Sequence, residues 1–412
     1  MKRLIPILLA ALLLTACSGF PEEEPSPSAS ADPDEPVLTK RNIELTVWEN
    51  PGAGEEFIQQ AAAVFNQKYP NIRIRCVAVE PSGLLSRIAS ESASGTVDLF
   101  TVPHTDIRQL ADARLVLPAR DQAKTRSAIF PASAQTATVN GILYGYPVSA
   151  ETTALFYNKQ LITEDELPST WAGLADFAKG FNDGDRYGFV MPVGSAYAAA
   201  PFISARNNRP FGLNGENEQT LNLETSAALE GMSIFQSLRS AVGLSSEELS
   251  LHSVESLFAS GKAALCIAGP WNIARFTAAG INFGVAPLPA FPGEEVGSSS
   301  LTFARVMLVS AYSENPDEAS AFAAHLLTEE MQRLRVELTG ELPSVDTALR
   351  SPSYIAGFAA QMRNAFAYTS LPAAYGFWES FGDVCARIWD GANMKEELSS
   401  FWQVPESEPE PE

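Results

Sequence analysis

The chain has 412 residues, 46% hydrophobic and 19% charged, which is the composition of a globular protein with room for two or three domains. Asp and Glu number 49 against 28 Lys and Arg, and the formal net charge is -21. Part of that charge sits in the segments 18–37 and 406–412, but the body between them is also acidic, which excludes a nucleic-acid binder built on a basic face.

The chain opens with Lys2 and Arg3, followed by an apolar run from Ile5 to Leu14 that is too short to span a bilayer as a mature helix. Leu14-Thr-Ala-Cys17 looks like a bacterial lipobox. The resemblance implies cleavage before Cys17, a lipid on its sulfur and an extracytoplasmic, membrane-anchored protein at a cell surface or in a periplasm. Residues 18–37, rich in Pro, Ser, Ala and acids, read as a solvated tether reaching up to roughly 60 Å. Residues 405–412 read as a disordered acidic tail. The other cysteines, Cys76, Cys266 and Cys385, are odd in number and widely spaced. That is neither a disulfide framework nor a zinc pattern, and it predicts buried small hydrophobes, with one disulfide among them left open.

Ile43, Leu45 and Val47 alternate with polar neighbours and predict a strand. After the turn 50–54, Glu55 to Lys68 predicts a helix with Phe57, Ile58, Ala61, Ala62 and Phe65 on one face. Tyr69-Pro70-Asn71 stops it, and Ile72, Ile74 and Cys76 predict a second strand. This is a βαβ unit with a right-handed crossover. A helix near 84–92 and a strand at 97–102 continue it, and 137–144 reads as an Asn-Gly hairpin.

Thr170 caps a predicted helix running to about Phe181, with Trp171 as packing at its start. A strand at 187–191 and an amphipathic helix over 225–240 follow. Ser253 is the expected cap of a short helix carrying Leu257 and Phe258, ended by Gly261. The small apolar run Ala263–Ala268 has the size of a buried strand, and Gly269-Pro270 leaves Trp271 at its carboxyl end, where ligands sit in open α/β sheets. Strands are expected at 283–289 and 305–310. A helix capped by Asn315, with Pro316 at its first position and Glu318 at its third, reaches about Thr328. A last long helix opens at Ala374 and carries Phe381, Val384, Cys385 and Ile388.

The order helix, Gly261-Lys262, small apolar strand, Gly269-Pro270-Trp271 resembles the sugar-binding members of the bacterial extracellular solute-binding proteins, the receptor subunits of ABC importers. The resemblance extends through Leu45–Asn50, Phe65–Ile74, Val97–Phe100, Gly145–Lys159 and Thr339–Ser344, and covers roughly 43–400. It implies an α/β, two-lobe periplasmic-binding-protein fold of type II-like form, each lobe a mixed sheet flanked by helices, with three hinge crossings. The crossings are expected within 145–159, near 302–306 and near 350–354. The first lobe is then 38–150 with 307–350, and the second 151–302 with 354–402.

Glu151, Tyr197, Trp271 and Trp378 stand where maltodextrin-binding relatives contact ligand. The family's cleft loops add Glu49, Asn50, His104, Thr105 and Asp106. Glu379 stands where those relatives carry a Tyr, Gly382 where they carry an Arg, and Ser195 where they carry an acid. Their charged contacts after the first strand fall on Gly52 and Ala53, and their Trp, Asp and Arg after the third fall on Val102, Thr105 and Asp106. An altered sugar or a different oligosaccharide length is therefore open.

The candidate set suits a pyranose, whose apolar faces stack on aromatics and whose rim hydroxyls bond carboxylates and amides. The expected function is that of an extracytoplasmic binding lipoprotein of a carbohydrate ABC transporter. It would bind a maltose- or maltodextrin-like oligosaccharide between its lobes and deliver it to membrane permease subunits. The expectation includes no catalysis, no cofactor, no metal and a monomer, with Cys17 as the membrane link. The alternatives are a receptor for a non-sugar solute, such as a polyamine or organophosphate, and a surface glycoside hydrolase with two carboxylates about 5–10 Å apart. No Gly-x-Ser-x-Gly elbow, His-Glu-x-x-His site or Rossmann glycine pattern occurs.

Overall fold

The computed structural model describes residues 37–91, 95–346 and 352–402. The lipobox with Cys17, the tether and the acidic tail lie outside them. The chain begins as a parallel βαβ unit. β1 (Ile43–Glu49) pairs with β2 (Ile72–Ala78) from Ile43 opposite Ile72 to Glu49 opposite Ala78. The helix between them, Ala53–Lys68, buries Phe57, Ile58, Ala61, Ala62 and Phe65, the face its spacing predicts. Its two buried phenylalanines contribute about 1.5–3 kcal/mol each. β3 (Leu99–Pro103) adds parallel to the other edge of β1.

The short hairpin of β4 (Thr138–Val139) and β5 (Ile142–Leu143) turns at Asn140 and Gly141, both at positive φ, as a two-residue turn requires. The chain then runs through β6 (Gly145–Thr152) into β7 (Ala154–Asn158), with only Thr153 between them. β6 belongs to the first sheet and β7 to the second, so the first crossing is a single residue.

The second sheet is completed by β8 (Tyr187–Val190), β9 (Ala263–Ala268) and β10 (Phe283–Ala286), in the order β10-β7-β9-β8. The helix Trp171–Phe181 starts at Thr170, whose hydroxyl accepts from Gly173 N at 3.2 Å, and Trp171 is buried. The chain returns through β11 (Leu301–Val309), antiparallel to β6 on one side and to β3 on the other. The whole strand lies in the first sheet from Leu301, not only the part from residue 307, because its first residues are already paired with Thr152 and Glu151.

The helix Ser353–Met362 follows the Thr339–Ser344 loop, and the expected crossing at 350–354 falls partly outside the described residues. An element not anticipated comes next: β12 (Phe366–Ala367) pairs parallel with Leu301 and Thr302 and so touches the first sheet again. The chain then enters the helix Pro372–Trp389. From Leu38 onwards it forms one compact unit containing two large hydrophobic cores. One holds Val47, Phe100 and Leu308; the other holds Phe156, Leu265, Phe235 and Trp389.

Two caps differ from expectation. The helix Leu251–Ala259 is capped by Ser250, whose hydroxyl accepts from Ser253 N, so Ser253 lies inside the first turn. Asn315 makes no side-chain capping bond to the helix Pro316–His325, and the Glu318 carboxylate instead accepts from Thr39 N at 2.7 Å. Cys76, Cys266 and Cys385 are free thiols, two buried and one half-buried.

Candidate functional site

The candidate site lies along the hinge strands. Glu151 on β6 stands opposite Phe303 on β11. Successive strand residues alternate faces, so Phe303 and Arg305 share one. Phe303 is the middle of an aromatic run. Its ring stacks on Tyr197 at 4.7 Å and lies 4.4 Å from Tyr368. Tyr197, in the helix Ala196–Ile203, meets Trp271 edge-on at 5.7 Å. Tyr368 lies 6.2 Å from Tyr375 and 6.4 Å from Trp378, both on the helix Pro372–Trp389.

The two outer rings of the run are open to solvent: Trp271 is 45% exposed and Tyr375 is 61% exposed. Trp271 is held by a close approach, since a Cβ on Gly269 would sit 2.1 Å from its ring. Any side chain at 269 would displace the indole.

Beside the aromatics lies a charged network. Arg335 is buried and donates from Nε and Nη2 to Glu341 at 2.8 and 2.6 Å. Arg305 donates to Glu49 at 3.1 Å, and its Nε is 4.0 Å from Glu341. Burial pushes the Glu341 carboxyl up, but Arg335 and Arg305 outweigh it and hold it below the usual range. Glu151 goes the other way. Burial, then the Glu341 charge, raises it, and Arg305 only partly opposes them. Arg335 and Arg305 are engaged by Glu341 and Glu49, and Glu151 has no hydrogen-bond or ion-pair partner among the described residues. Burial, followed by the charges of Glu151 and Tyr368, keeps the Tyr197 phenol neutral well above its usual range.

A recess of about 320 Å³ opens in the first lobe, with Asn50, Thr101, Pro103, Asp106 and Arg305 in its wall. Asp106 is half-buried and raised by burial, with only the Thr105 hydroxyl to oppose that. A larger recess of about 460 Å³, lined by Arg206, Arg209, Phe291 and Arg363, shares no residue with the aromatic run. Two of its arginines are neutralised by Glu230 and Asp346. The hinge region, which combines open aromatic faces with an acid unpaired among the described residues, is the better candidate.

A family model described as bacterial extracellular solute-binding protein matches residues 60–362. This chain belongs to that family. The solute-binding protein is 30% identical over 363 residues to the galactooligosaccharide-binding protein of Bacillus subtilis (strain 168), covering 86% of this chain and 83% of the relative. It is 25% identical to a maltooligosaccharide ABC transporter solute-binding lipoprotein of Streptococcus pneumoniae (strain ATCC BAA-255 / R6), covering 84% and 80%. Among solved structures, a cyclo/maltodextrin-binding protein complexed with maltotetraose matches with a TM-score of 0.78 at 27% identity, covering 88% of this chain and 95% of that one. A Staphylococcus aureus extracellular solute-binding protein in complex with maltose shares the fold at a TM-score of 0.80 and 21% identity.

The fold of this solute-binding protein brings Glu151, Tyr197, Trp271 and Trp378 to the hinge aromatics, and Asn50 and Asp106 to the first-lobe recess. Glu379 is exposed on the helix of Trp378, and its charge acts on Tyr368. Three expected contacts have other employment. Glu49 is 2% exposed; its oxygens accept from Arg305, Asn50 N and the Thr101 hydroxyl. His104 is buried. Its Nε2–H donates to Tyr368 O at 2.8 Å and its Nδ1 accepts from Ala304 N at 3.3 Å, so both ring nitrogens are spent pinning the hinge. Trp378 is buried and packs edge-on against Phe377 and Phe381. Sequence reasoning missed Phe303, Arg305, Tyr368 and Tyr375. Only Tyr375 carried a local signal, since it is an aromatic in the first turn of a helix already assigned to the cleft.

Proposed function

We propose that this solute-binding protein is the receptor subunit of a carbohydrate ABC importer, binding a neutral oligosaccharide between its two lobes and handing it to membrane permease subunits. The observation that carries the reading is the aromatic run from Trp271 through Tyr197, Phe303 and Tyr368 to Tyr375, open at both ends, beside Glu151, which is unpaired among the described residues. Aromatic faces cover the C–H faces of successive pyranoses, and Glu151, Asp106 and the Asn50 amide meet the hydroxyl rim. The relatives' names supply two ligand classes, maltooligosaccharides and galactooligosaccharides, both neutral. They are binding proteins, which supports a receptor rather than a hydrolase. Cys17 is the lipid attachment point in this reading, and the protein works outside the cytoplasm.

The test is a thermal-shift panel of mono- and oligosaccharides. A ligand at 100 times its dissociation constant adds about 2.7 kcal/mol of stability. A rise in melting temperature with maltotriose or a galactotriose supports the reading, whereas rises confined to polyamines or phosphate esters would replace it with the non-sugar receptor.

A further inference from the structure

The sequence did not single out Arg305, yet its side chain has a hand in both the charged network and the first-lobe recess. Its guanidinium carries five N–H donors in a fixed fork. Nη2 donates to Glu49 Oε1 at 3.1 Å. With the Asn50 amide turned so that its oxygen faces the fork, that oxygen accepts from Nη1 and Nη2, each at 3.0 Å. Nε lies 4.0 Å from Glu341, beyond hydrogen-bond distance. Three donors are thus engaged. One N–H on Nη1 and that on Nε have no acceptor among the described residues. The side chain keeps 21% of its surface open, and it lines the recess that Asn50 and Asp106 also line.

The same orientation decides the Asn50 amide. Its oxygen is consumed by Arg305, so its NH2 is the end left to donate. The recess therefore offers a donor cluster, Arg305 with Asn50, and an acceptor, Asp106, whose one side-chain partner among the described residues is the Thr105 hydroxyl at 3.5 Å. Glu49 orders this arrangement from below. It is buried with both oxygens accepting hydrogen bonds, and it fixes both the guanidinium and the backbone of Asn50.

We propose that Arg305 is a ligand-contacting, specificity-determining residue, and that Glu49 is the positioning residue that aims it. This rests on the oligosaccharide reading above. The free N–H groups of Arg305 and the Asn50 amide receive oxygen atoms of a sugar while Asp106 accepts one of its hydroxyls. The sugar must be neutral. Glu49 and Glu341 lie at the Arg305 guanidinium, which also acts on the Glu151 charge, Asp106 lines the same recess, and Arg335 is committed to Glu341, so an acidic sugar would meet excess negative charge. Lysine cannot take over, because a point charge cannot bond Glu49 and Asn50 and still present aligned donors to a ligand.

The experiment is calorimetric titration of the wild type and Arg305→Lys with maltotriose, β-1,4-galactotriose and a glucuronate-terminated trisaccharide. The wild type is expected to bind at least one neutral trisaccharide and to bind the glucuronate form at least about tenfold more weakly. Arg305→Lys is expected to lose about tenfold in affinity for the neutral ligand and to change the ratio between the two neutral trisaccharides. A purely structural role would lower the melting temperature without moving that ratio. Unchanged affinity and ratio in Arg305→Lys overturn the inference and leave the oligosaccharide reading standing. Equal wild-type affinity for the glucuronate form also overturns it, and needs no variant to fold. Absence of wild-type binding to every neutral probe overturns the oligosaccharide reading, and the inference with it.

Discussion

Tyr197 and Phe303 stack with ring centroids 4.7 Å apart and planes inclined by 24°. One ring comes from the helix Ala196–Ile203 and the other from the hinge strand β11, so the contact ties that helix to the strand. Phe303 also touches Tyr368 and meets His104 edge-on at 5.1 Å. Removing it cuts the aromatic run in its middle. Phe303→Ala is expected to destabilise by about 1–3 kcal/mol, less than a fully buried Phe because the ring is half-open. It is also expected to weaken oligosaccharide binding. Melting and titration of one preparation check both, and retention of wild-type affinity would remove Phe303 from the site.

Trp271 and Trp378 should behave differently although sequence reasoning gave them the same role. Trp271 is 45% exposed and Trp378 5%. Trp271→Ala is expected to leave stability within about 0.5–1 kcal/mol of wild type and to abolish most sugar binding. Trp378→Ala empties a packed position against Phe377 and Phe381 and should cost about 3–5 kcal/mol. A Trp271→Ala protein that binds sugar as well as wild type would count against stacking at this end of the run.

His104 makes the hinge sensitive to acid. Burial pushes its pKa down to about 4, against the bonds to Tyr368 and Ala304. A group depressed on folding binds more protons unfolded than folded between about pH 6.5 and 4, so stability falls as pH drops through that window. The expected loss is about 3 kcal/mol, complete below pH 4. Denaturant melts of wild type and His104→Gln at stepped pH measure it. The variant should lose this part of the slope; an identical slope in both proteins would place the acid sensitivity elsewhere.

The Arg335–Glu341 pair is a buried fork, and Arg335 also lies over the Phe57 ring at 5.0 Å. Glu341→Ala leaves that guanidinium uncompensated and should cost about 3–5 kcal/mol. It also removes the like charge that helps raise Glu151, so the Glu151 carboxyl should titrate at lower pH in the variant. Carboxyl NMR titration reads this directly, and no movement of Glu151 would mean the network is not electrically connected.

Much of the scaffold was legible locally. Thr170 as cap of Trp171–Phe181, the strand Ala263–Ala268 and the buried face of Ala53–Lys68 follow from short-range rules. The site was less legible because its decisive contacts are long-range. Glu49 reads as a cleft carboxylate until Arg305 takes it, 256 residues later in the chain. Arg305 opens the expected strand 305–310 and Phe303 falls in the expected crossing near 302–306, and nothing local says which of their side chains meets the site. β12 has two residues, too few for any periodicity, yet it brings Tyr368 beside His104. Exposure was the other hidden quantity, since Trp271 and Trp378 differ in burial and not in sequence character.

The central claim is that the hinge aromatics and Glu151 hold a neutral oligosaccharide between the lobes. Calorimetric titration of the wild-type protein with maltotriose and β-1,4-galactotriose at several temperatures tests it most directly. The account predicts saturable one-to-one binding of at least one of them, with a negative heat-capacity change as the pyranose faces are buried against the rings. Absence of saturable binding to any neutral oligosaccharide, at concentrations where the protein is folded, would contradict it.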